Sequence, residues 1–325
     1  MRHIKRLMPW WARFWTRTLL AQVGINYRVL RALGLTRHGA MEEPAVAFET
    51  FMRHARAAGF PRNGEPSSVL ELGPGDSLNT ALIAAAMGAS RVHLIDASPD
   101  ARLSLQTYRQ MIDFLRERGL DVSRIERFDD VQQLLANCNA TYETDGLAAL
   151  QRLPDASVDF VFSNAVLQHV RRHDLPRTLR ELRRILKPGG AASHSIGIWD
   201  QMGFALNHLR FSRRFWESQF VARAGCYTNR VRFSQMVRLM ERCGFDVEVT
   251  EVNRWSALPT PRARMDRMFH RFDDSDLRVY SYNVTLRRAA SGRQKRIGSR
   301  RATAVGPEAN GLRPGGWGWP LPIGG

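Results

Sequence analysis

The chain has few cysteines, and this scarcity excludes several kinds of protein. Its 325 residues include only Cys138, Cys226 and Cys243, at wide spacing and without a C-x-x-C pair or a zinc-type histidine pattern. Three separated thiols do not build a disulfide framework. We therefore expect small buried thiols, no metal site and a reducing, cytoplasmic location.

Long apolar runs are also missing. The amino-terminal sequence MRHIKRLMPWWARFWTRTLL begins basic and turns aromatic, but Arg13 and Arg17 interrupt its apolar residues. This leaves neither the apolar stretch of a signal peptide nor the roughly 20 residues that a membrane span requires. The sequence predicts a protein that is neither exported nor membrane-spanning.

Acidic residues are scarce at both ends of the chain, and this scarcity explains most of the net charge of +17. Residues 1–40 contribute +8 and residues 287–325 contribute +7, which leaves +2 for residues 41–286. A nearly balanced middle is typical of an enzyme that acts on a small molecule. The charged ends contain no recognisable nucleic-acid module, so we expect no nucleic-acid partner.

The middle of the chain does contain a regular alternation of strand-like and helix-like segments. This pattern predicts an α/β fold with a mostly parallel sheet and helices on both faces. Residues 1–45 are predicted to be a basic aromatic helical extension, and residues 46–288 the domain. An insertion at about 199–232 is expected to cap the sheet, and residues 289–325 to be a disordered tail, since 11 of the last 20 residues are Gly or Pro. Strands are predicted at 69–72, 92–95, 141–144, 158–163, 191–198, 245–252 and 279–286, and helices at 78–87, 100–118, 175–186 and 233–243.

The first predicted strand runs into the turn ELGPGDS, which contains Glu71, Gly73 and Gly75. Glycines at such a turn allow the backbone to approach a ligand closely, and the next helix presents free N–H groups. A dinucleotide fingerprint requires a third glycine, but Leu78 occupies that position. The turn therefore indicates a nucleotide-like ligand without a pyrophosphate.

Polar residues end the next three predicted strands. Asp96 lies 21 residues after Gly75, where its carboxylate can accept both ribose hydroxyl protons. Asp145 is placed to accept from an exocyclic adenine amine, and Asn164 ends the fourth strand. Open α/β sheets bind ligands at the carboxyl ends of their strands, so we expect these side chains to line one cofactor site.

The runs TDGLAALQRLPDASVDFVFSNAVLQHV and LRELRRILKPGG, taken with this turn, resemble class I S-adenosylmethionine-dependent methyltransferases of the small-molecule branch. The resemblance covers about residues 67–198. It implies a Rossmann-like, seven-stranded, mostly parallel sheet and S-adenosyl-L-methionine as cofactor. It also implies that Glu71, Gly73 and Gly75 surround the methionine part, that Asp96 binds the ribose and that Asp145 with Gly146 binds the adenine.

The sequence after residue 190 is similar, more faintly, to methyltransferases of bacterial glycan and secondary-metabolite gene clusters. HSIGIWDQ and YTNRVRFSQMVRLMERCGF carry this likeness, although Gln201 stands where those relatives often have histidine. The resemblance implies O-methylation of a small-molecule or glycan hydroxyl. An RNA or protein methyltransferase and a non-catalytic, cofactor-binding scaffold are the alternatives.

Transfer of a methyl group to a hydroxyl requires alignment and one base. The candidates are His194 with Asp200 near the fifth strand, then His169 after the fourth. Each has a structural alternative, namely a core histidine, a solvated turn carboxylate and a surface histidine. A polar set of Tyr227, Asn229 and Arg230 is predicted to bind the acceptor through a hydroxyl, carboxylate or phosphate, or else Arg230 pairs with a surface carboxylate.

Helical spacing places Trp11, Trp15 and Leu19 on one face of the amino-terminal segment, with Phe14 beside them. Such a helix either packs over the domain as a lid or lies in a membrane interface as a peripheral contact. The sequence leaves both roles open.

Overall fold

The structure is a computed structural model that describes residues 8–23, 40–61, 67–101 and 104–289. No helix in these ranges is long and apolar enough to cross a membrane. Nearly all of the predicted disordered tail, from residue 290 onward, lies outside the described residues, as do residues 1–7 and 24–39 of the predicted extension.

Seven strands of the described residues form one sheet in the order β3-β2-β1-β4-β5-β7-β6. Strands β1 to β5 pair in parallel, and β7 lies antiparallel between β5 and β6. This topology confirms the predicted Rossmann-like, mostly parallel sheet. The strands are β1 (Ser67–Leu72), β2 (Ala89–Ile95), β3 (Ala140–Glu143), β4 (Val158–Asn164), β5 (Leu186–Gly197), β6 (Phe245–Arg254) and β7 (Val279–Arg288).

Helices cover both faces of the sheet. On one face α2, α3 and α4 enclose an apolar core, and on the other α6, α7 and α10 enclose a second. The helices are α1 (Trp10–Gln22), α2 (Pro44–Ala58), α3 (Asn79–Ala86), α4 (Leu105–Glu117), α5 (Val131–Asn137), α6 (Leu147–Arg152), α7 (Leu175–Ile185), α8 (Arg213–Trp216), α9 (Gln219–Ala222), α10 (Phe233–Arg242) and α11 (Asp274–Leu277).

Apolar spacing explains how α7 attaches to the sheet. Leu175, Leu179, Leu182 and Ile185 recur every three or four residues and are buried, while arginines occupy most of the other positions. Strand β1 is buried along its whole length, as expected for a central strand covered on both faces. This burial fixes the position of the last residues of β1 at the carboxyl edge of the sheet.

Three local predictions differ from the structure. Helix α2 was not predicted, although it begins with proline at its first turn, ends at Gly59 in a left-handed conformation and buries Phe51 fully. The short helices α5 and α6 were not predicted either. Strand β5 begins at Leu186 rather than at Ala191, because the KPGG segment forms an irregularity within the strand instead of ending α7.

The insertion between β5 and α10 carries α1 on its surface. Phe14 of α1 is fully buried in an apolar cluster with Met202, Trp216 and Tyr227. Trp216 stacks on the Phe14 ring at a centroid distance of 5.8 Å. Helix α1 thus packs through its Phe14 face. Trp11, Trp15 and Leu19 are exposed, and the ring of Trp15 also contacts Phe215.

Candidate active site

The turn after β1 is held between its neighbours. The Gly73 N–H donates to the Ile95 carbonyl of β2 at 2.7 Å, and Gly73 and Gly75 have φ angles of 75° and 66°. A Cβ atom built on Gly73 would lie 2.4 Å from Cγ2 of Val166 in the loop after β4, whereas the same position on Gly75 is open. The turn therefore packs against the β4 loop at Gly73 and leaves space for a ligand at Gly75.

Asp96 follows β2 and connects three loops. Its carboxylate accepts hydrogen bonds from the N–H groups of Gly75 at 2.9 Å and Ala97 at 2.6 Å. Its backbone accepts from Gly146 N–H at 2.8 Å and donates to the Glu143 carbonyl. The Ser98 backbone also bonds to this carboxylate. An ionised carboxylate has about four acceptor positions, so acceptor capacity remains for a ribose hydroxyl.

Glu71 is buried at the base of the turn. Burial, reinforced by the nearby Asp96 charge, raises its pKa to about 8, so the isolated site holds this carboxyl largely protonated at neutral pH. Its Oε2 atom has no hydrogen-bond partner among the described residues. A buried carboxyl with an unused oxygen favours a cationic ligand, which would return it to the ionised form.

Asp145 and Gly146 lie beyond β3, at the same edge as Asp96. Arg152 donates to both Asp145 oxygens, at 2.5 and 2.9 Å, and this guanidinium lowers the pKa of the carboxyl. The pair is solvent-exposed, and such pairs are weak, so a ligand amine can compete with Arg152 for Asp145. Asn164 ends β4, and its Oδ1 accepts a long hydrogen bond of 3.4 Å from Arg53 of α2.

All seven residues predicted to bind the cofactor thus lie at the carboxyl edge of β1 to β4. The profile of the methyltransferase domain family matches residues 47–250, more than half of the chain and the whole of this edge. The chain belongs to this methyltransferase family. It has the class I fold, and S-adenosylmethionine is the cofactor of this family.

Three known proteins illustrate what the methyltransferase is similar to. An uncharacterized 37.1 kDa protein in transposon TN4556 of Streptomyces fradiae is 28% identical over 177 residues, which are 54% of this chain and 42% of that protein. A solved arsenic(III) S-adenosylmethionine methyltransferase from Chlamydomonas reinhardtii is 21% identical over 72% of this chain and 66% of its own, with a TM-score of 0.41. Phosphoethanolamine N-methyltransferase 2 of Haemonchus contortus is 16% identical over 74% and 52%, also with a TM-score of 0.41. The chain thus spans less than half of the length of the curated relative.

The site residues of the methyltransferase fit its cofactor. S-adenosylmethionine carries an ammonium and a sulfonium group, and the unpartnered Glu71 oxygen offers a buried anionic partner. The space at Gly75 admits the ligand beside the turn, and Asp96 retains acceptor capacity for a ribose. The charge and hydrogen-bonding chemistry of the edge therefore match the charge and hydroxyl groups of this cofactor.

Two of the three predicted catalytic residues are buried structural groups in the methyltransferase. His194 lies inside β5, where Nδ1 is hydrogen-bonded to Ser163 Oγ at 2.8 Å and burial lowers its pKa to about 3. Asp200 is also buried, and its oxygens accept four hydrogen bonds of 2.6 to 3.1 Å from the following loop. These contacts favour roles in folding over proton transfer to an acceptor.

His169 is placed differently, in the β4 loop that packs on the cofactor turn. The ring is half-buried, and Nδ1 donates to the Tyr227 carbonyl at 2.7 Å. A carbonyl only accepts, so Nδ1 carries a hydrogen, and the lone pair of the neutral ring is then on Nε2. The backbone of His169 also donates to Val166, which touches Gly73. Of the three candidates, His169 is the one that the fold connects to the cofactor turn.

The predicted acceptor set of Tyr227, Asn229 and Arg230 is buried. Asn229 Nδ2 donates to the carbonyls of Leu167 and Val170, and Arg230 donates to the carbonyls of His208 and Phe211. The Tyr227 hydroxyl donates to Glu217 at 2.9 Å. Because each of their polar groups has an internal partner, these three residues hold the insertion against the β4 loop. They are therefore not free to bind an acceptor directly.

Sequence reasoning missed an aromatic cluster at the acceptor side of the same sheet edge. Trp199, Phe204, Trp255 and Tyr280 are half-buried, with ring centroids 5.2 to 6.3 Å apart. They lie in the segment after β5, directly after β6 and at the start of β7, so they meet where these three neighbouring strands share the sheet edge. Their wide separation in sequence gives no local signal from which the cluster could be predicted.

Proposed function

We propose that this methyltransferase transfers a methyl group to a hydroxyl of a small molecule or glycan. The position of His169 carries the proposal, because a neutral imidazole with an oriented lone pair is suited to remove a hydroxyl proton. An amine or thiol that reacts as a free nucleophile would have less need of such a base. His169 is accordingly the proposed general base.

The residues of the cofactor edge have separate tasks in this mechanism. Glu71, Gly73, Gly75 and Asp96 would hold S-adenosylmethionine, which when bound supplies an electrophilic methyl group on a sulfonium. His169 accepts the acceptor's proton on Nε2. The Tyr227 carbonyl stabilises the resulting imidazolium through the Nδ1–H bond.

The aromatic cluster supports a ring-shaped acceptor. Aromatic faces carry partial negative charge, and the C–H face of a sugar or the edge of another ring packs favourably on them. Trp199 and Tyr280 lie at the edge where β5 ends and β7 begins, and β5 pairs with β4, which ends at Asn164. We therefore propose that the acceptor ring packs against this cluster while its hydroxyl faces His169.

The test compares His169→Ala and His169→Gln with the control His173→Ala, an exposed histidine in the same loop. S-adenosylhomocysteine formation is measured with a panel of methyl glycosides, simple phenols, amines and thiols. We expect turnover on hydroxyl acceptors, a kcat about 10²- to 10⁴-fold lower in both His169 variants, and unchanged cofactor affinity.

The control should keep its kcat, because His173 contacts Asp174 at the surface. Turnover confined to amines or thiols would contradict the hydroxyl acceptor. Full activity of His169→Ala on a hydroxyl acceptor would contradict the assignment of the base.

A further inference from the structure

An apolar stripe runs along the outer face of α1. Trp11, Trp15, Leu19 and Val23 recur every four residues and expose 55%, 41%, 57% and 72% of their surface. Among the described residues, no other large apolar side chain is exposed to this degree. Apolar residues that are exposed singly are normally scattered over a protein surface, whereas these four lie on one face of one helix. The stripe therefore requires an explanation.

The stripe is held in a fixed orientation by the opposite side of α1. Phe14 and Thr18 are buried, Arg13 donates to the Met202 carbonyl at 2.7 Å, and Gln22 donates to the Phe220 carbonyl at 3.1 Å. These contacts would all break if the helix turned its tryptophans inward. The apolar face is therefore presented outward by the folded domain.

Positive charge lies next to the stripe. The Trp15 ring is 6.0 Å from Phe215, and the preceding Arg213 and Arg214 are exposed. These two line a hollow of about 630 Å³ with Arg171, Arg172, His173 and a single acid, Glu217. Within the described ranges, none of these four arginines forms an ion pair. The charge is local, because residues 41–286 together carry only +2.

Four partly exposed side chains offer on the order of 400 Å² of apolar surface along the stripe. A convex helix with outward tryptophans and flanking arginines has the properties of a helix that lies in a membrane interface.

We propose that α1 and the adjoining arginine-lined hollow form a docking surface for an anionic lipid bilayer. The 13 residues of α1 are about 20 Å long, which suits a helix lying in the headgroup region. The tryptophans and Leu19 enter that region, and the arginines contact anionic headgroups. This surface goes beyond the proposed function and does not depend on it.

The first experiment measures flotation of the full chain with vesicles of pure phosphatidylcholine and of phosphatidylcholine with one third phosphatidylglycerol. We expect flotation with the anionic vesicles alone. Trp11→Ser/Leu19→Ser and Arg213→Gln/Arg214→Gln should each lower the bound fraction about tenfold or more. The control Arg56→Gln/Arg109→Gln removes the same charge from exposed positions on α2 and α4, across the sheet, and should bind as the parent does.

A second measurement separates insertion from simple adsorption of a basic protein. Brominated lipids should quench part of the tryptophan fluorescence, and Trp11→Phe/Trp15→Phe should lose this quenching. Unchanged thermal unfolding and cofactor affinity establish that the variants are folded. Equal loss in the Arg56/Arg109 control, undiminished binding of the stripe variant, or self-association that disappears with the stripe would each overturn the proposal.

Discussion

Gly73 shows how closely the cofactor turn and the β4 loop are packed. Replacement by alanine would place a carbon 2.4 Å from Val166 Cγ2 at a φ of 75°. We expect Gly73→Ala to lower the free energy of unfolding by about 3 kcal/mol, from overpacking together with left-handed strain. Urea unfolding of the cofactor-free protein measures this loss.

Gly75→Ala is the matched control, since its φ is 66° but no atom lies within 4 Å of the added carbon. Strain alone should cost this variant about 1 kcal/mol. Adding Val166→Ala to Gly73→Ala should recover part of the loss, which a double-mutant cycle detects. Equal costs for the two glycines, or no coupling to Val166, would contradict the packing argument.

Single residues were predictable where they end a strand and less so where they lie in the insertion. Asp96 and Asn164 could be placed at the sheet edge, because parallel strands all end there. Asp200 and Asn229 were also predicted to be site residues, but their polar groups are already hydrogen-bonded to the backbone of nearby loops. Sequence shows that a side chain can accept a hydrogen bond, but not that a distant loop already supplies the donor.

Phe14 makes the most deeply buried apolar contact between helix α1 and the domain. Phe14 is fully buried against Phe211 and Trp216, with centroid distances of 4.9 and 5.8 Å. We expect Phe14→Ala to remove about 3 to 5 kcal/mol of docking energy and to release α1 while the sheet stays folded. Hydrogen exchange of residues 10–22 should rise, and trypsin should cut at Arg13 and Arg17.

The exposed Leu19 provides the comparison for this helix. Leu19→Ala removes a similar apolar volume from a side chain that is 57% exposed, so its exchange and cleavage should match the parent. Similar protection in Phe14→Ala would mean that the hydrogen bonds of Arg13 and Gln22 suffice to hold the helix.

Helix α7 was predicted from its apolar spacing, whereas helix α2 was missed. The spacing of α7 is long and regular, and its observed start agrees with the predicted one. Helix α2 escaped prediction because its buried face mixes His54 and Thr50 with phenylalanine and alanine, which weakens the apolar pattern. His54 is tolerated there because Ser193 of β5 hydrogen-bonds to it at 2.8 Å.

Buried histidines make the whole molecule sensitive to acid. Burial lowers the pKa values of His54, His194 and His208, so these rings stay neutral in the fold while the unfolded chain protonates below about pH 6.5. Each therefore contributes stability that is present above pH 6.5 and is lost as the pH falls. Glu71 acts in the opposite direction, because its raised pKa contributes stability that is lost as the pH rises toward 8.

The net effect of these groups on the free energy of unfolding can be measured by urea unfolding at pH 6.5 and 5.5. Three histidines should lose about 1 kcal/mol each over this interval and Glu71 should return about 1, for a net loss of about 2 kcal/mol. A flat profile would show that the buried rings accept protons without unfolding.

The hydrogen bonds of Asp96 affect the choice of an inactive variant for experiments in cells. The Asp96 carboxylate accepts from the N–H groups of Gly75 and Ala97, so deleting its side chain loosens the cofactor turn as well as removing a ribose contact. An allele altered at Asp96 would confuse loss of catalysis with loss of protein abundance. An allele altered at His169 keeps these two bonds, and it is the better basis for a complementation experiment.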